Sequence, residues 1–146
     1  MCGIAGLLGN GSLDDAMSMA AAIGHRGPDG SGGFFSNVEN ENVSVAFSHA
    51  RLSIIDLGGS RQPIHSDHGC VLMINGEIYN HQKIKSELQN YPFRTAGDSE
   101  SILALHRAYS WNRPIGENPA ERHIEWVSKL DGMWGFSLWD PSTNEL

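Results

Sequence analysis

The chain opens with MCGIAGLLG at residues 1–9, which places a cysteine directly behind the initiator methionine. Residues 3–8 are small or aliphatic and a Gly-Asn-Gly turn follows them, so the stretch predicts a short central strand. An initiator methionine is removed when the next residue is small, and Cys2 would then carry a thiol and an α-amine. Because an α-amine titrates near neutrality, it can accept the thiol proton. The stretch predicts a nucleophile with its own base or, alternatively, a small hydrophobic residue in a terminal strand.

Composition excludes several classes of protein. The chain has 146 residues and a formal net charge of -7, with 10 basic against 17 acidic residues. An acidic chain is a poor partner for nucleic acid or an anionic membrane surface. The sequence contains no apolar run near the ~20 residues of a membrane helix and no signal-peptide pattern at its start. Two cysteines are too few for a disulfide framework. We therefore expect one cytoplasmic domain.

Working outward from residues 1–9, periodicity predicts alternating strands and helices. The predicted strands are 3–8, 43–49, 71–74 and 133–140, and the predicted helices are 13–23, 81–89, 99–110 and 119–130. Ser12 with Asp15 forms a capping-box pattern at the first helix, and Asp98 or Ser99 is the expected cap of the third. The Gly-rich residues 24–33 are predicted to be a loop. This mixture predicts an α+β fold with antiparallel sheets.

Four polar positions carry possible chemistry. Arg51 ends an alternating strand, where a guanidinium can bind a carboxylate bidentately, although a surface arginine is the simpler interpretation. Asn75 and Gly76 follow an apolar strand and supply a side-chain amide and a backbone N–H, the donor types of an oxyanion hole. An Asn-Gly pair is also a common turn. Asp98 precedes a helix and is either its cap or a counter-ion for a substrate ammonium.

Six segments together are far more specific than any one alone. In chain order they are MCGIAG, HRGPDG, ARLSIIDL, NGEIYN, GDSE and KLDGMWGFSLWD. Their text and order resemble the class II glutamine amidotransferase domain of glutamine-hydrolysing asparagine synthetases. The resemblance implies an N-terminal-nucleophile hydrolase, a four-layer α-β-β-α sandwich with two antiparallel sheets. It covers 1–146 as a single domain, and it implies an incomplete copy, truncated before the last strands and before an ATP-using synthetase domain.

The resemblance also assigns roles to individual residues. Cys2 attacks the carboxamide carbon of glutamine, and Asn75 and Gly76 stabilise the oxyanion. Glutamate and ammonia are the products. The remaining assignments concern substrate binding: Arg51 for the α-carboxylate, Glu77 and Asp98 for the α-ammonium, and Leu52, Ile54 and Ile55 for the pocket wall. No metal or other cofactor is expected in this domain, because ATP and magnesium belong to the synthetase domain.

Two functions remain open on the sequence. In the first, the chain is a glutaminase that supplies ammonia to an asparagine-synthetase-type domain or partner. In the second, it is a truncated, non-catalytic module that binds glutamine or a partner. The complete set of catalytic residues favours the first function, and the missing C-terminal segment favours the second. The stretch 110–126 has no counterpart in the family text and is predicted to be a surface insertion.

Overall fold

A computed structural model describes residues 2–52, 61–110 and 118–146. Within these residues the chain forms two compact units, one of residues 1–76 with 135–146 and one of residues 77–134. The elements in chain order are β1 (Gly3–Gly9), α1 (Leu13–Ala22), a 3-10 turn (Gly24–Arg26), β2 (Gly30–Asn37), β3 (Ser44–Arg51), β4 (Ile64–His65), β5 (Val71–Ile78), α2 (His81–Glu87), α3 (Glu100–Tyr109), α4 (Pro119–Val127) and β6 (Gly132–Trp139).

The first sheet is built around β3, which is buried along almost its whole length. β1 and β2 flank it, both antiparallel, with Gly3 opposite Ala50 and Phe34 opposite Phe47. Successive side chains of β3 point to opposite faces of the sheet, so the two faces contact different neighbours. Val45 and Phe47 point into a hydrophobic core, while the Ser48 hydroxyl donates to the carbonyl of Ala16 in α1.

The second sheet has the strand order β4-β5-β6. β4 pairs antiparallel with β5, and Ile64 lies opposite Leu72. Within the first unit, Val71 and Met73 of β5 and Trp139 of β6 belong to the same buried cluster as the core residues of β3. The two sheets therefore enclose one apolar interior, with α1 on the outer face of the first. The predicted α+β fold with two antiparallel sheets is confirmed.

The start of α1 follows the predicted capping box. The Ser12 hydroxyl accepts from the N–H of Asp15 at 3.1 Å, and the Asp15 carboxylate accepts from the N–H of Ser12 at 2.9 Å. Two orphan N–H groups of the first turn are thereby satisfied. Ala16 and Ala20 are buried against the sheet because small side chains allow close approach.

One local prediction is wrong, and a second is confirmed only in position. Residues 30–33 belong to β2 rather than to a loop, because pairing with β3 outweighs the poor strand propensity of glycine. Ser99 occupies the N-cap position of α3, as one of the two alternatives predicted, but its side chain makes no cap hydrogen bond, and the Asp98 carboxylate accepts from the N–H of Ile78 instead. Several boundaries also shift, since β5 continues to Ile78 and α4 ends at Val127.

The second unit contains α2, α3 and α4. The buried His106 of α3 meets Trp126 of α4 edge-on, with ring centroids 5.8 Å apart. The loop before α3 is tied down from two sides: the Glu100 carboxylate accepts from the N–H groups of Arg94 and Thr95, and the Lys85 ammonium donates to the carbonyl of Gly97. No helix among the described residues is long and apolar enough to cross a membrane. The predicted single domain over 1–146 stays a prediction.

Candidate active site

Cys2 lies at the start of β1 and is fastened to the far end of β3. Its sulfur accepts from the N–H of Leu52 at 3.3 Å and lies 3.5 Å from the carbonyl oxygen of Leu52. The antiparallel register explains this placement, because Gly3 opposite Ala50 brings the preceding residue to the end of β3. The thiol is half-buried. The predicted nucleophile is therefore held at the end of β3, in contact with Leu52, the residue that follows Arg51.

Arg26 fixes the main chain of Cys2. Its Nε donates to the Cys2 carbonyl at 3.0 Å. The HRGPDG loop that carries it lies against the end of β3, where a Cβ on Gly27 would overlap the backbone of Ala50. The N–H of Asp29 donates to the Arg51 carbonyl at 2.9 Å. The sequence marked this segment as Gly-rich and as one of the six segments of the family resemblance, but its contact with Cys2 was not predicted.

Arg51 ends β3 and Leu52 follows it, and both are half-buried. Arg51 lies opposite Gly30 of β2 in the antiparallel register. It sits one residue before the backbone N–H that meets the Cys2 sulfur. A guanidinium at this point is suited to a carboxylate. Ile54 and Ile55, the predicted pocket wall, lie outside the described residues.

Asn75 and Gly76 lie inside β5 rather than after it. Asn75 is half-buried and Gly76 is exposed. The φ angle of Gly76 is +155°, a backbone conformation that L side chains rarely adopt, which accounts for glycine at this position. The predicted oxyanion donors therefore sit at a point where the strand leaves regular geometry.

The residue before this pair, Ile74, has both of its backbone groups bound by side chains. The Gln62 side chain accepts from the Ile74 N–H at 2.6 Å and donates to the Ile74 carbonyl at 2.9 Å. The His49 Nε2 lies 3.2 Å from the same carbonyl. Sequence reasoning missed both side chains, although the burial of His49 within an apolar strand was visible in the pattern.

His49 is almost fully buried. Burial lowers its pKa, the nearby positive charge of Arg51 lowers it further, and the hydrogen bond to Ile74 acts in the opposite direction. The ring is therefore neutral at physiological pH. Since its partner is a carbonyl, the neutral ring carries its proton on Nε2 and donates to Ile74.

Glu77 and Asp98 belong to the second unit. Asp98 is buried, and its Oδ2 accepts from the N–H of Ile78 at 2.7 Å. The Ser99 hydroxyl donates to Oδ1 at 3.3 Å. Glu77 is exposed. Asp98 is thus bound to Ile78, the last residue of β5.

Comparison with known proteins agrees with the geometry. The profile of a family described as "Glutamine amidotransferase domain" matches residues 1–146. Asparagine synthetase [glutamine-hydrolyzing] 2 of Bacillus subtilis is 32% identical over 154 residues, which cover 100% of this chain and 18% of that protein. Asparagine synthetase B of Escherichia coli is 35% identical over 127 residues, covering 86% of this chain and 20% of that protein. The chain spans about a fifth of the length of these curated relatives.

Two solved structures share the fold. The glutamine phosphoribosylpyrophosphate amidotransferase of B. subtilis aligns with a TM-score of 0.64 and 16% identity, covering 94% of this chain and 35% of that one. The structure of an allosteric regulatory enzyme of purine biosynthesis aligns with a TM-score of 0.67 and 18% identity, covering 92% of this chain and 35% of that one. At this identity the likeness shows the fold alone, and it confirms the predicted amidotransferase fold.

Proposed function

The chain belongs to the glutamine amidotransferase domain family, and from this membership we propose that it hydrolyses glutamine to glutamate and ammonia through Cys2. The observation that carries the proposal is the placement of the Cys2 thiol against the N–H of Leu52, at the end of β3 that bears Arg51. A thiol used only for packing would not need a main-chain donor aimed at its sulfur.

The chemistry follows from a terminal cysteine. The Cys2 sulfur forms a bond to the carboxamide carbon of glutamine while the α-amine takes the thiol proton. The α-amine returns that proton to the departing nitrogen, so the C–N bond breaks and ammonia leaves. Water then attacks the γ-glutamyl thioester, which releases glutamate and restores the thiol. The Asn75 side-chain amide and the Gly76 N–H are the proposed donors to the oxyanion in both tetrahedral steps.

Substrate binding is proposed from the chemistry of each residue. Arg51 is the proposed partner of the α-carboxylate, because a guanidinium binds a carboxylate through two parallel hydrogen bonds. Asp98 and Glu77 are the proposed acceptors of the α-ammonium. Leu52 is proposed to contribute to the wall of the pocket together with Ile54 and Ile55.

The fate of the ammonia is proposed from the relatives. Because the curated relatives are asparagine synthetases, we assign the ammonia to an asparagine-synthetase-type amidation in the cytoplasm. ATP and magnesium would act in the synthetase domain or partner, and the glutaminase step is written without a cofactor. Nucleic acid is not expected to bind, since the chain carries a net charge of -7.

A cleavable tag tests the requirement for a free terminus. The protein is prepared with a tag whose removal leaves Cys2 as the first residue, and glutamate release from glutamine is measured before and after cleavage. We expect turnover only after cleavage. A matched Cys2→Ala preparation should remain inactive in both forms. If the cleaved wild type binds glutamine in calorimetry but forms no glutamate, the non-catalytic binding module replaces this proposal.

A further inference from the structure

The main chain of Ile74 is bound in an unusual way for a strand residue. Its N–H and its carbonyl both bond to the Gln62 side chain, at 2.6 Å and 2.9 Å, and the carbonyl also meets His49 Nε2 at 3.2 Å. Ile74 and His49 are each 1% exposed. A buried backbone group that lost these partners would retain its full desolvation cost. The three side-chain bonds therefore hold this point of β5 firmly.

The strand register explains why a side chain, and not a neighbouring strand, bonds the main chain of Ile74. β4 pairs with β5 through Ile64 opposite Leu72, so continuation of that register would set Gln62 opposite Ile74. The backbone of Gln62 is instead seated on Gly32 of β2, where any Cβ would overlap the Gln62 carbonyl. The side-chain amide of Gln62 has one donor and one acceptor group at the spacing of a peptide, and it replaces the missing ladder bonds.

The residue held in this way directly precedes the two oxyanion donors. Asn75 follows Ile74, and Gly76 then adopts the φ angle of +155° that turns the chain out of regular strand geometry. A donor must be aimed to within a fraction of an ångström of the developing charge to stabilise it. Movement of Ile74 would therefore be passed to Asn75 and Gly76 along the chain.

We propose that Gln62 and His49 are positioning residues that orient Asn75 and Gly76 for oxyanion stabilisation. This inference rests on the proposed glutaminase function. His49 lies on β3 two residues before Arg51, and β3 also holds the Cys2 sulfur through the adjoining Leu52. β3 therefore holds the Cys2 sulfur through the adjoining Leu52 and holds Ile74, the residue before the oxyanion donors, through His49. These hydrogen bonds set the position of the nucleophile relative to the donors within the first unit.

The first test separates orientation from simple stability. Gln62→Ala and His49→Ala should each lower kcat by about 10-fold to 100-fold, less than the roughly 10²–10³-fold loss of an oxyanion donor itself. KM and the rate of Cys2 alkylation by iodoacetamide should stay within about twofold of wild type. His49→Gln keeps an amide donor of similar reach and should recover part of kcat.

Ser44→Ala is the matched control. The Ser44 hydroxyl lies 2.7 Å from the carbonyl oxygens of both Gly9 and Gly11 at the opposite end of β3 and shares its one proton between them, so its loss removes side-chain-to-backbone bonding away from Asn75. We expect it to lower the urea midpoint while leaving kcat unchanged. If Ser44→Ala lowers kcat as much as Gln62→Ala does, or if both Gln62 and His49 variants keep wild-type kcat, the positioning role is overturned.

A double-mutant cycle tests the route of the effect. In an Asn75→Ala background, Gln62→Ala should cost clearly less in kcat than in wild type, because one of the groups it orients is already absent. An equal fold-change in both backgrounds overturns the inference. Failure of the underlying function looks different: wild type and Cys2→Ala would then both release no glutamate, and the inference would fall with it.

Discussion

At the scale of single residues, the two cysteines occupy opposite environments. Cys2 is half-buried, with its sulfur at the N–H of Leu52. Cys70 is almost fully buried, and burial, together with the negative charge of Asp140, raises its pKa to about 12. Since the thiolate is the reactive form, Cys70 is inert near neutral pH. The chain thus separates a candidate nucleophile from a packing thiol.

Alkylation should distinguish the two thiols. With limiting iodoacetamide at neutral pH, we expect Cys2 to be modified and Cys70 to be spared, as read by peptide mass spectrometry. The same reaction in strong urea should modify both thiols, because unfolding removes the burial that protects Cys70. Modification of Cys70 in the folded protein at a rate similar to that of Cys2 would contradict the assignment.

Arg51 and Asn75 should affect different kinetic constants. Arg51→Ala removes the proposed carboxylate partner and should raise KM far more than it lowers kcat. Asn75→Ala removes a proposed oxyanion donor and should raise the barrier by about 2.7–4 kcal/mol, seen mainly as a loss of kcat. Steady-state glutamate release measures both constants. A normal KM for Arg51→Ala, or an intact kcat for Asn75→Ala, would remove the role assigned to that residue.

A methyl group at Gly76 should disturb both the strand and the proposed oxyanion donor. Gly76→Ala forces an L side chain into a φ of +155° and should cost about 1–3 kcal/mol of folding free energy. It should also lower kcat, because relief of the strain rotates the N–H proposed as an oxyanion donor. The control is Gly135→Ala, since a Cβ on Gly135 would meet nothing within 4 Å. Similar losses for both variants would argue against a special role of Gly76.

At the scale of elements, α1 depends on the reciprocal cap at its start. The Ser12 hydroxyl and N–H both donate to the Asp15 carboxylate, at 2.6 Å and 2.9 Å, and these bonds lower the pKa of Asp15. The folded pKa lies below the unfolded one, so this contribution to stability is present above the unfolded value. It is lost as the pH falls through the lowered folded pKa.

Removal of the cap should reveal this pH dependence. Ser12→Ala should lower the free energy of unfolding by about 1 kcal/mol at neutral pH, the typical effect of losing an N-cap side chain. The difference in the free energy of unfolding between Ser12→Ala and wild type should become smaller as acid protonates Asp15. Urea unfolding at neutral and at acidic pH measures this difference, and Ser18→Ala, further along the same helix, serves as an exposed control. A difference in the free energy of unfolding that does not change with pH would contradict the reciprocal bond between Ser12 and Asp15.

Sequence patterns predicted elements with a strong local signal and failed where contacts between elements decide. The capping box of α1 was visible in Ser12 and Asp15, and it formed as expected. Gly32 and Gly33 carry no strand signal, yet they belong to β2 because they pair with β3. Close neighbours leave no room for a Cβ at these positions, which accounts for the glycines. Asp98 was predicted as either a helix cap or a counter-ion for a substrate ammonium, and the bond that its carboxylate accepts from the N–H of Ile78 was not predicted.

At the scale of the whole molecule, His49 couples global stability to pH. Its pKa is lowered in the folded state, mainly by burial, so the unfolded chain binds its proton more readily. Stability from this group is therefore complete above the unfolded pKa and falls as the pH drops from there toward the folded pKa. Protonation of the ring would place a charge beside Arg51 in the interior.

The matching experiment is urea unfolding of wild type and His49→Gln between pH 7.5 and pH 5.5. We expect the wild-type free energy of unfolding to decrease over this interval. The decrease should be smaller for His49→Gln, which has no titrating ring. An exposed substitution, His25→Gln, should keep the wild-type slope. Parallel slopes for wild type and His49→Gln would contradict the role of His49.

The sequence by itself determined the position of the candidate nucleophile, the order of the motifs and the α+β fold, because these depend on residue identity and local periodicity. Only the tertiary structure decided which side chains hold the main chain of Cys2, of Ile74 and of Ile78. The bonds from Arg26 to Cys2, from His49 to Ile74 and from Asp98 to Ile78 join residues 24, 25 and 20 positions apart. Such pairs leave no periodic trace, because the register of neighbouring strands and the close approach at glycines bring them together.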